Sequence, residues 1–230
     1  SLASSGIYFA SPKHIFNRMV IYETETHEPR ITFVLDSSGS MSVIEDDTKG
    51  GFNAFLEDQR DEEGSATVTL YDFNTNVDRV FQGETIEEAP TLNDDNYTPG
   101  GQTALHDAIY TAVTETADRI SSLETTDRPD TVIDVVLTDG KENASETPKE
   151  RVRDQVKYRC KEYDWEFLFI GANQDAALTA DSMGMNVDRS LNMFHSGDGT
   201  RAAYESTSER VSQARREGTT GTYDDTDRRR

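Results

Sequence analysis

The sequence predicts an α/β fold in which a doubly wound, mainly parallel sheet of six strands carries helices on both faces. Two observations predict this fold class. Short apolar runs of strand length alternate with segments of helical periodicity between residues 31 and 216, which is the pattern of repeated strand–helix units. One pair of apolar runs is instead joined by the short polar stretch 74–76, which predicts a hairpin and therefore one antiparallel edge strand.

The individual elements follow from the apolar spacing and from the residues that end each run. The predicted strands are residues 31–35, 66–73, 77–81, 131–138, 165–170 and 191–194, and the predicted helices are residues 43–60, 103–120, 148–163, 175–183 and 199–216. Gly50 and Gly51 interrupt the first helix at a cost of about 1 kcal/mol each relative to alanine, which close packing on the sheet would explain. Residues 83–102 are polar and contain prolines and glycines, so a long loop is expected before the second helix.

Two terminal segments flank the predicted domain of residues 31–216. Residues 1–30 form an N-terminal extension whose short apolar runs could make an extra hairpin or edge strand. Residues 217–230 consist mostly of Gly, Thr, Asp and Arg, a composition that buries no core. We therefore expect a flexible C-terminal tail.

The charge of the chain excludes several classes of partner. The formal net charge is −21, from 44 acidic and 23 basic residues, and only six of the basic residues are lysines. A field of this sign repels nucleic acid and anionic membrane surfaces, so neither is an expected partner. The acidic residues are spread over the whole chain, which is typical of a surface adapted to high salt. The hypothesis is a halophilic source.

The expected location is the cytoplasm. No apolar run approaches the roughly 20 residues that a membrane-spanning helix needs, so membrane insertion is not expected. Residues 1–10 have no basic region and no long apolar stretch, so they do not predict a signal peptide.

The polar turn after the first predicted strand is the strongest candidate for a functional site. Asp36, Ser38 and Ser40 occupy alternate positions directly after the apolar run 31–35, at the carboxyl end of a strand, where open α/β sheets bind their ligands. A tight turn can direct these three oxygens at one point, and hard oxygen ligands suit Mg²⁺ or Mn²⁺. Three oxygens do not complete an octahedron, so other segments must supply the rest.

Two later positions offer those ligands. Thr103 follows the pair Gly100–Gly101, and Asp139 follows the buried strand 131–138. With the turn, they resemble the metal-ion-dependent adhesion site (MIDAS) of von Willebrand factor A (VWA) domains in residue type and order. The five matching positions are Asp36, Ser38, Ser40, Thr103 and Asp139.

The resemblance covers roughly residues 31–215 and includes the stretches 50–53, 138–145 and 165–173, which are similar to a compact single-domain VWA family of bacteria and archaea. It implies a Rossmann-like fold. It also implies that the three hydroxyls bind a divalent cation directly, and that the two carboxylates bind it directly or through water. An open coordination position would accept an Asp or Glu side chain of a partner protein, so the expected function is a metal-dependent protein-binding module and not an enzyme.

Helix capping is the simplest alternative for these residues. A serine or aspartate within residues 36–40 could cap the helix that follows. Thr103 lies at or near the start of another predicted helix, where threonine is a common N-cap.

Two other function classes remain open. In a hydrolase, Ser38 or Ser40 would be the nucleophile, Asp139 would orient the base, and a histidine would be that base. The four histidines are His14, His27, His106 and His195. The chain lacks a Gly-x-Ser-x-Gly elbow, His106 is expected on a helix surface, and metal-assisted hydrolysis usually needs more carboxylates. The remaining class is a structural subunit of a viral or cellular assembly, with an accessory or vestigial metal site.

Overall fold

The sheet has the predicted six strands in the order β3-β2-β1-β4-β5-β6. The computed structural model describes residues 28–172 and 175–229. The strands are β1 (Arg30–Asp36), β2 (Thr67–Phe73), β3 (Val77–Thr85), β4 (Val132–Thr138), β5 (Glu166–Ala172) and β6 (Ser190–Met193). Among the strands of residues 28–172 and 175–229, only β3 runs antiparallel to its neighbour, so the predicted antiparallel edge strand is confirmed. The hairpin or edge strand expected within residues 1–30 falls on residues 1–27, which lie outside the described residues, and on the start of β1.

Helices cover both faces of the sheet, which confirms the doubly wound α/β class. They are α1 (Glu45–Asp61), α2 (Leu105–Ser121), α3 (Lys149–Tyr163), α4 (Ala176–Ser182) and α5 (Gly197–Glu217). α1 and α5 share one apolar cluster with one face of the sheet, and α2, α3 and α4 share a second cluster with the other face. Within residues 28–172 and 175–229, none of the helices is long and apolar enough to cross a membrane.

β1 lies at the centre of the sheet and contributes side chains to both clusters. Phe33 joins the α1 side, where its ring meets Phe52 edge-on at a centroid distance of 5.2 Å, and Val34 joins the opposite side. A strand that is buried on both faces needs apolar residues at successive positions. This explains the uninterrupted apolar run in the sequence.

The hairpin strand β3 is longer than predicted. It continues through Gly83 to Thr85, so the following loop begins later than the expected residue 83. Gly83 has a positive φ of 62° and donates its N–H to the Thr69 hydroxyl at 2.9 Å, and the β2–β3 register shifts beside it. A local irregularity of this kind allows β2 and β3 to remain paired on both sides of the glycine.

The glycine pair in α1 does not pack on the sheet as expected. A Cβ on Gly51 would lie 2.2 Å from the ring of Tyr204 in α5, whereas a Cβ on Gly50 would meet nothing within 4 Å. Gly51 therefore allows close contact between α1 and α5. The prediction of close packing is therefore confirmed for Gly51, but Gly51 packs against the helix α5 and not against the sheet.

The segment after α5 is packed against the domain, so the expectation that its composition buries no core is wrong. Tyr223 is buried in the α1–α5 cluster, and its hydroxyl lies 3.1 Å from that of Thr207. The buried carboxylate of Glu166 accepts hydrogen bonds from the Thr220 N–H and the Thr219 hydroxyl. One aromatic ring and one buried acceptor are enough to hold this polar segment in place.

Candidate metal centre

The predicted site residues lie at the carboxyl ends of two neighbouring strands. Asp36 is the last residue of β1, and Asp139 directly follows β4. β1 and β4 pair in parallel, so their carboxyl ends meet at the same edge of the sheet. The strand order alone therefore brings these two acidic residues together from positions about a hundred residues apart in the chain.

The β1–α1 turn connects four of the five predicted residues through short polar contacts. The Ser38 N–H donates to Asp36 Oδ1 at 2.7 Å, and the Ser38 and Ser40 hydroxyl oxygens lie 3.2 Å apart. The Ser40 hydroxyl donates to Asp139 Oδ1 at 2.6 Å. The alternating positions thus direct their oxygens at one region, as the spacing predicted.

Thr103, just before α2, borders the same region. A Cβ on Gly140 would lie 2.8 Å from the Thr103 Oγ1 and 3.5 Å from Asp36 Oδ2, so both oxygens border the small space beside this glycine. The structure therefore brings all five predicted residues together, and we call Asp36, Ser38, Ser40, Thr103 and Asp139 the candidate metal centre.

Thr103 is held in place by the loop that follows β4. Its N–H donates to Asn143 Oδ1 at 2.9 Å, and the Asn143 N–H donates to the Thr103 carbonyl at 3.0 Å. The carboxylate of Glu142 accepts the His106 N–H at 3.0 Å and also bonds Ser145. The stretch 138–145 thus ties the start of α2 to the end of β4.

The glycine pair before Thr103 brings its loop close to the β1–α1 turn. The Gly100 N–H donates to the Ser37 carbonyl at 2.7 Å, and the Gly39 N–H donates to the Gly101 carbonyl at 3.2 Å. Gly101 has a φ of 76°, and a Cβ there would lie 2.7 Å from the Thr75 hydroxyl. Only glycine meets both requirements.

The capping alternative is wrong for both segments. Ser38 occupies the N-cap position of the short 3₁₀ helix Gly39–Ile44 but makes no capping bond with its side chain. α2 begins at Leu105, with Ala104 at its N-cap position, so Thr103 lies before the cap. Neither hydroxyl therefore caps a helix.

The carboxylate of Asp36 is buried and sits in a negative environment. Burial raises its pKa, with a smaller contribution from the charge of Asp139, while bonds from Thr138 and Ser38 act in the opposite direction. Burial also raises the pKa of Asp72 to about 6, helped by the charges of Asp78 and Asp36. A bound cation would offset this cost, because a divalent ion is the largest local charge in such a site.

Asp139 has an oxygen that fits a metal ligand. Its side chain is fully buried, and Oδ2 accepts no hydrogen bond, a state that costs free energy unless another group compensates it. Two carboxylates and three hydroxyls also form a hard, oxygen-rich set that suits a divalent cation. Among the described residues, no three His, Cys, Asp or Glu side chains gather in a metal-binding arrangement, so the hydroxyls are essential to this centre.

Three residues at the centre were not among the five predicted metal ligands, although His195 was a candidate base in the hydrolase alternative. The Thr138 hydroxyl donates to Asp36 Oδ2 at 2.5 Å, the Tyr97 hydroxyl donates to the Asp36 carbonyl at 2.7 Å, and His195 Nε2 lies 2.8 Å from Asp139 Oδ2. Thr138 could have been inferred because it ends the strand before Asp139. Tyr97 and His195 gave no local signal, because loops that converge only in the folded chain carry them.

The geometry does not form a hydrolytic triad. The Ser40 hydroxyl donates to Asp139, and His195 contacts the other oxygen of the same carboxylate. A triad requires the histidine between serine and aspartate, whereas here the aspartate lies between the other two.

His106, another candidate base, is partly buried beside Glu142, with 3.9 Å between Nδ1 and Oε2, instead of on an open helix surface. The other two candidate bases, His14 and His27, lie outside the described residues.

Comparison with known proteins identifies the family of this domain. The family model for the von Willebrand factor type A domain matches residues 31–216. No curated protein matches the chain.

Solved structures with the same fold have low sequence identity to the chain. Proximal thread matrix protein 1 (PTMP1) from the mussel byssus, with a zinc-occupied MIDAS motif, has 16% identity and a TM-score of 0.55, covering 78% of this chain and 46% of that one. The PilB minor pilin from Streptococcus sanguinis has 12% identity and a TM-score of 0.60, covering 82% and 62%. The ArnB paralog VWA2 from Sulfolobus acidocaldarius has 14% identity and a TM-score of 0.51, covering 79% and 45%. The chain therefore spans about half to three fifths of the length of these proteins.

Proposed function

Since the chain belongs to the von Willebrand factor type A family, we propose that it is a protein-binding module whose binding depends on a divalent cation at a MIDAS-type centre. The observation that carries the proposal is the convergence of the five oxygen-bearing residues at the carboxyl ends of β1 and β4, where Asp139 Oδ2 is buried without a hydrogen-bond donor. The proposal assigns binding to this centre and no catalytic step.

The neutral and the charged residues of the centre would bind the ion in different ways. The hydroxyls of Ser38, Ser40 and Thr103 are neutral ligands, so they would leave much of the charge of a bound Mg²⁺ or Mn²⁺ uncompensated. Asp36 and Asp139 would hold the ion directly or through water. An ion with few anionic ligands keeps its attraction for a further carboxylate, so an Asp or Glu side chain of a partner protein is the expected additional ligand.

The surface beside the centre supports a protein as the partner. Val43, in the turn after β1, is 74% exposed, and Phe194, directly after β6, is 69% exposed. Both follow the carboxyl ends of parallel strands, as the candidate metal centre does. Large exposed apolar side chains near a polar centre are typical of protein interaction sites.

The structural relatives support two parts of the proposal, the binding of a divalent ion and a role in protein interaction. The mussel protein holds zinc in its MIDAS motif, and a pilus adhesin, SpaC from Lactobacillus rhamnosus GG, shares the fold with a TM-score of 0.57. The ion used by this chain is part of the proposal, with Mg²⁺ or Mn²⁺ expected from the sequence. The cytoplasmic location and the halophilic source also stay predictions.

Calorimetric titration with Mg²⁺ and Mn²⁺ in molar KCl tests the metal centre. We expect saturable one-site binding by the native chain and none by the double variant Asp36→Ala, Asp139→Ala. The double variant Asp118→Ala, Asp154→Ala removes two exposed acidic residues from helices and serves as the matched control. Equal binding by all three proteins would place the metal elsewhere and contradict the proposal.

Selection from a displayed random peptide library tests the partner chemistry. Peptides are bound in the presence of the divalent ion and eluted with a chelator. We expect enrichment of a single Asp or Glu flanked by apolar residues, and loss of binding by the Asp36→Ala, Asp139→Ala variant. Peptides that bind equally well in the chelator would contradict a metal-dependent interface.

The likeness to a matrix protein and a pilin favours one second candidate. In this reading the chain is a structural subunit of an assembly, and the centre serves contacts between copies. Gel filtration with and without Mg²⁺ separates the two readings, because only the assembly subunit would change its oligomeric state without an added partner.

A further inference from the structure

His195 comes closer to the candidate metal centre than any sequence pattern indicated. It lies in the short connection between the end of β6 and the start of α5, and its Nε2 is 2.8 Å from Asp139 Oδ2. The imidazole is 19% exposed, and the Asp139 side chain is fully buried. The ring therefore reaches the centre from the side that β6 and α5 form.

The connection that carries His195 is held in a defined conformation. The Ser196 N–H donates to the Phe194 carbonyl at 2.8 Å, and the Ser196 hydroxyl accepts the Gly199 N–H at 3.2 Å as the N-cap of α5. A Cβ on Gly199 would lie 2.3 Å from the Phe194 carbonyl oxygen, so the first turn of α5 is pressed against the connection. A side chain on such a support can serve as a pre-organised ligand.

The contact between His195 and Asp139 is close but is not a hydrogen bond. Both Nε2 and Oδ2 are buried, and neither has a hydrogen-bond partner with acceptable geometry. Adjacent ligands in an octahedron with metal–ligand bonds of about 2.0–2.1 Å are about 2.9 Å apart. The observed 2.8 Å is therefore the separation expected of two atoms that bind one ion side by side.

The two aspartates of the centre differ in how their oxygens are used. Asp36 Oδ1 accepts the Ser38 N–H, and Asp36 Oδ2 accepts the Thr138 hydroxyl. Asp139 accepts the Ser40 hydroxyl at Oδ1, whereas its Oδ2 accepts no hydrogen bond and contacts His195 Nε2. Asp139 is thus the carboxylate that is free to bind an ion directly, and Asp36 is the one suited to act through water.

We propose that His195 is a further metal ligand of this centre, binding the ion through Nε2 beside Asp139 Oδ2. This inference rests on the metal site of the proposed function and deepens it by naming the class of ion. Imidazole nitrogen suits Zn²⁺ and other transition ions, whereas Mg²⁺ prefers oxygen ligands. The chain therefore selects a transition ion such as Zn²⁺ or Co²⁺ over Mg²⁺.

The proposed ligand set still accommodates a partner. The three hydroxyls, Asp139 and His195 would hold the ion directly. A partner's carboxylate would be the additional ligand, so the selectivity for the ion and the recognition of an acidic side chain would operate at the same centre.

Parallel titrations of the native chain, His195→Gln and His106→Gln with Zn²⁺, Co²⁺ and Mg²⁺ test the inference. Glutamine keeps a polar side chain of similar reach but removes the imidazole nitrogen. His106→Gln is the matched control because His106 faces Glu142 instead of Asp139. We expect His195→Gln to lose at least about tenfold in Zn²⁺ and Co²⁺ affinity, with a much smaller change for Mg²⁺ and an altered visible spectrum of bound Co²⁺.

The outcomes separate this inference from the proposed function. If His195→Gln melts like the native chain and keeps its order of metal affinities and its Co²⁺ spectrum, His195 is not a ligand, and the five-residue centre still stands. If the native chain binds none of the three ions, the metal centre itself is overturned, and both proposals fall with it. A loss of Zn²⁺ affinity in the His106→Gln control as large as in His195→Gln would also contradict the assignment.

Discussion

The side chain of Asn143 accepts a hydrogen bond from the Thr103 N–H at 2.9 Å, and the Asn143 N–H donates to the Thr103 carbonyl at 3.0 Å. This reciprocal pair joins the loop after β4 to the residue before α2. The loop that begins at Asp139 is therefore tied to Thr103, although the two reach the centre from different segments. Asn143 thus contacts a residue of the candidate metal centre without being one of its five proposed ligands.

Replacing Asn143 should weaken metal binding without unfolding the domain. In Asn143→Ala the Thr103 N–H loses its partner, so the hydroxyl of Thr103 is less well oriented, and we expect about a 10- to 100-fold loss of metal affinity. The free energy of unfolding should fall by only about 1–3 kcal/mol. Calorimetry and denaturant unfolding measure the two effects, with the exposed Asn76→Ala as control. Unchanged metal affinity would mean that Asn143 has no part in positioning Thr103.

Filling the space beside Gly140 should block the centre directly. A Cβ in Gly140→Ala would lie 2.8 Å from the Thr103 Oγ1, which is too close for either atom to stay in place. We expect metal binding to be lost while the far-ultraviolet circular dichroism spectrum stays native. Gly100→Ala is the control, because a Cβ there would meet nothing within 4 Å. Full metal affinity in Gly140→Ala would show that the ion binds away from this space.

The two glycines of α1 should respond in opposite directions to alanine. Gly51→Ala places a methyl group 2.2 Å from the Tyr204 ring, so α1 and α5 must separate, at a cost of typically about 1–3 kcal/mol. Gly50→Ala meets no atom and should stabilise the helix by about 0.5–1 kcal/mol. Urea unfolding of both variants measures the difference. Equal effects would contradict the close α1–α5 contact.

The buried Asp134 of β4 should make the domain less stable as the pH rises. Burial raises the pKa of Asp134 to about 8, and a contact with the Thr32 hydroxyl has a smaller, opposite effect. Between about pH 4 and about pH 8 the folded chain keeps this proton, whereas the unfolded chain, with an aspartate pKa of about 3.9, has lost it. The contribution of Asp134 to the free energy of unfolding is therefore complete below about pH 4 and falls by about 1.4 kcal/mol per pH unit up to about pH 8.

Asp134→Asn should remove that decline, because asparagine carries no charge at any of these pH values. Urea unfolding from about pH 5 to about pH 8 compares the native chain, Asp134→Asn and the exposed control Asp154→Asn. The difference in unfolding free energy between Asp134→Asn and the native chain should shift in favour of the variant as the pH rises. A difference that does not change with pH would contradict the raised pKa.

Salt should stabilise the domain if the acidic surface is adapted to it. The groove between α1 and α5 is lined by more acidic than basic residues, because Arg210 and Arg216, which pairs with Glu62, are outnumbered. The six acidic residues are Asp58, Asp61, Glu62, Glu205, Glu209 and Glu217. Between about 0.1 M and about 1 M KCl the Debye length falls from about 10 Å to about 3 Å, so repulsion within this group is screened. We expect the melting temperature to rise over that range, and Asp58→Asn with Asp61→Asn to reduce the rise. A melting temperature that does not increase would contradict the halophilic hypothesis.

Much of the fold followed from local pattern, and the errors arose where contacts are non-local. The order and type of all six strands and five helices could be predicted because apolar periodicity reports which face of each element is buried. The role of Gly51 and the packing of Tyr223 could not be predicted in the same way. Both depend on α5, which reaches these positions only through the tertiary fold.

The sequence by itself determined which oxygen-bearing side chains follow β1 and β4, because alternate spacing and strand ends are local properties of the chain. The tertiary structure alone decided what surrounds them. The parallel pairing of β1 with β4 brought Asp139 to the turn, and the β6–α5 connection brought His195 to the same carboxylate. Contacts between segments far apart in the chain depend on strand order and loop paths, which no short stretch of sequence encodes.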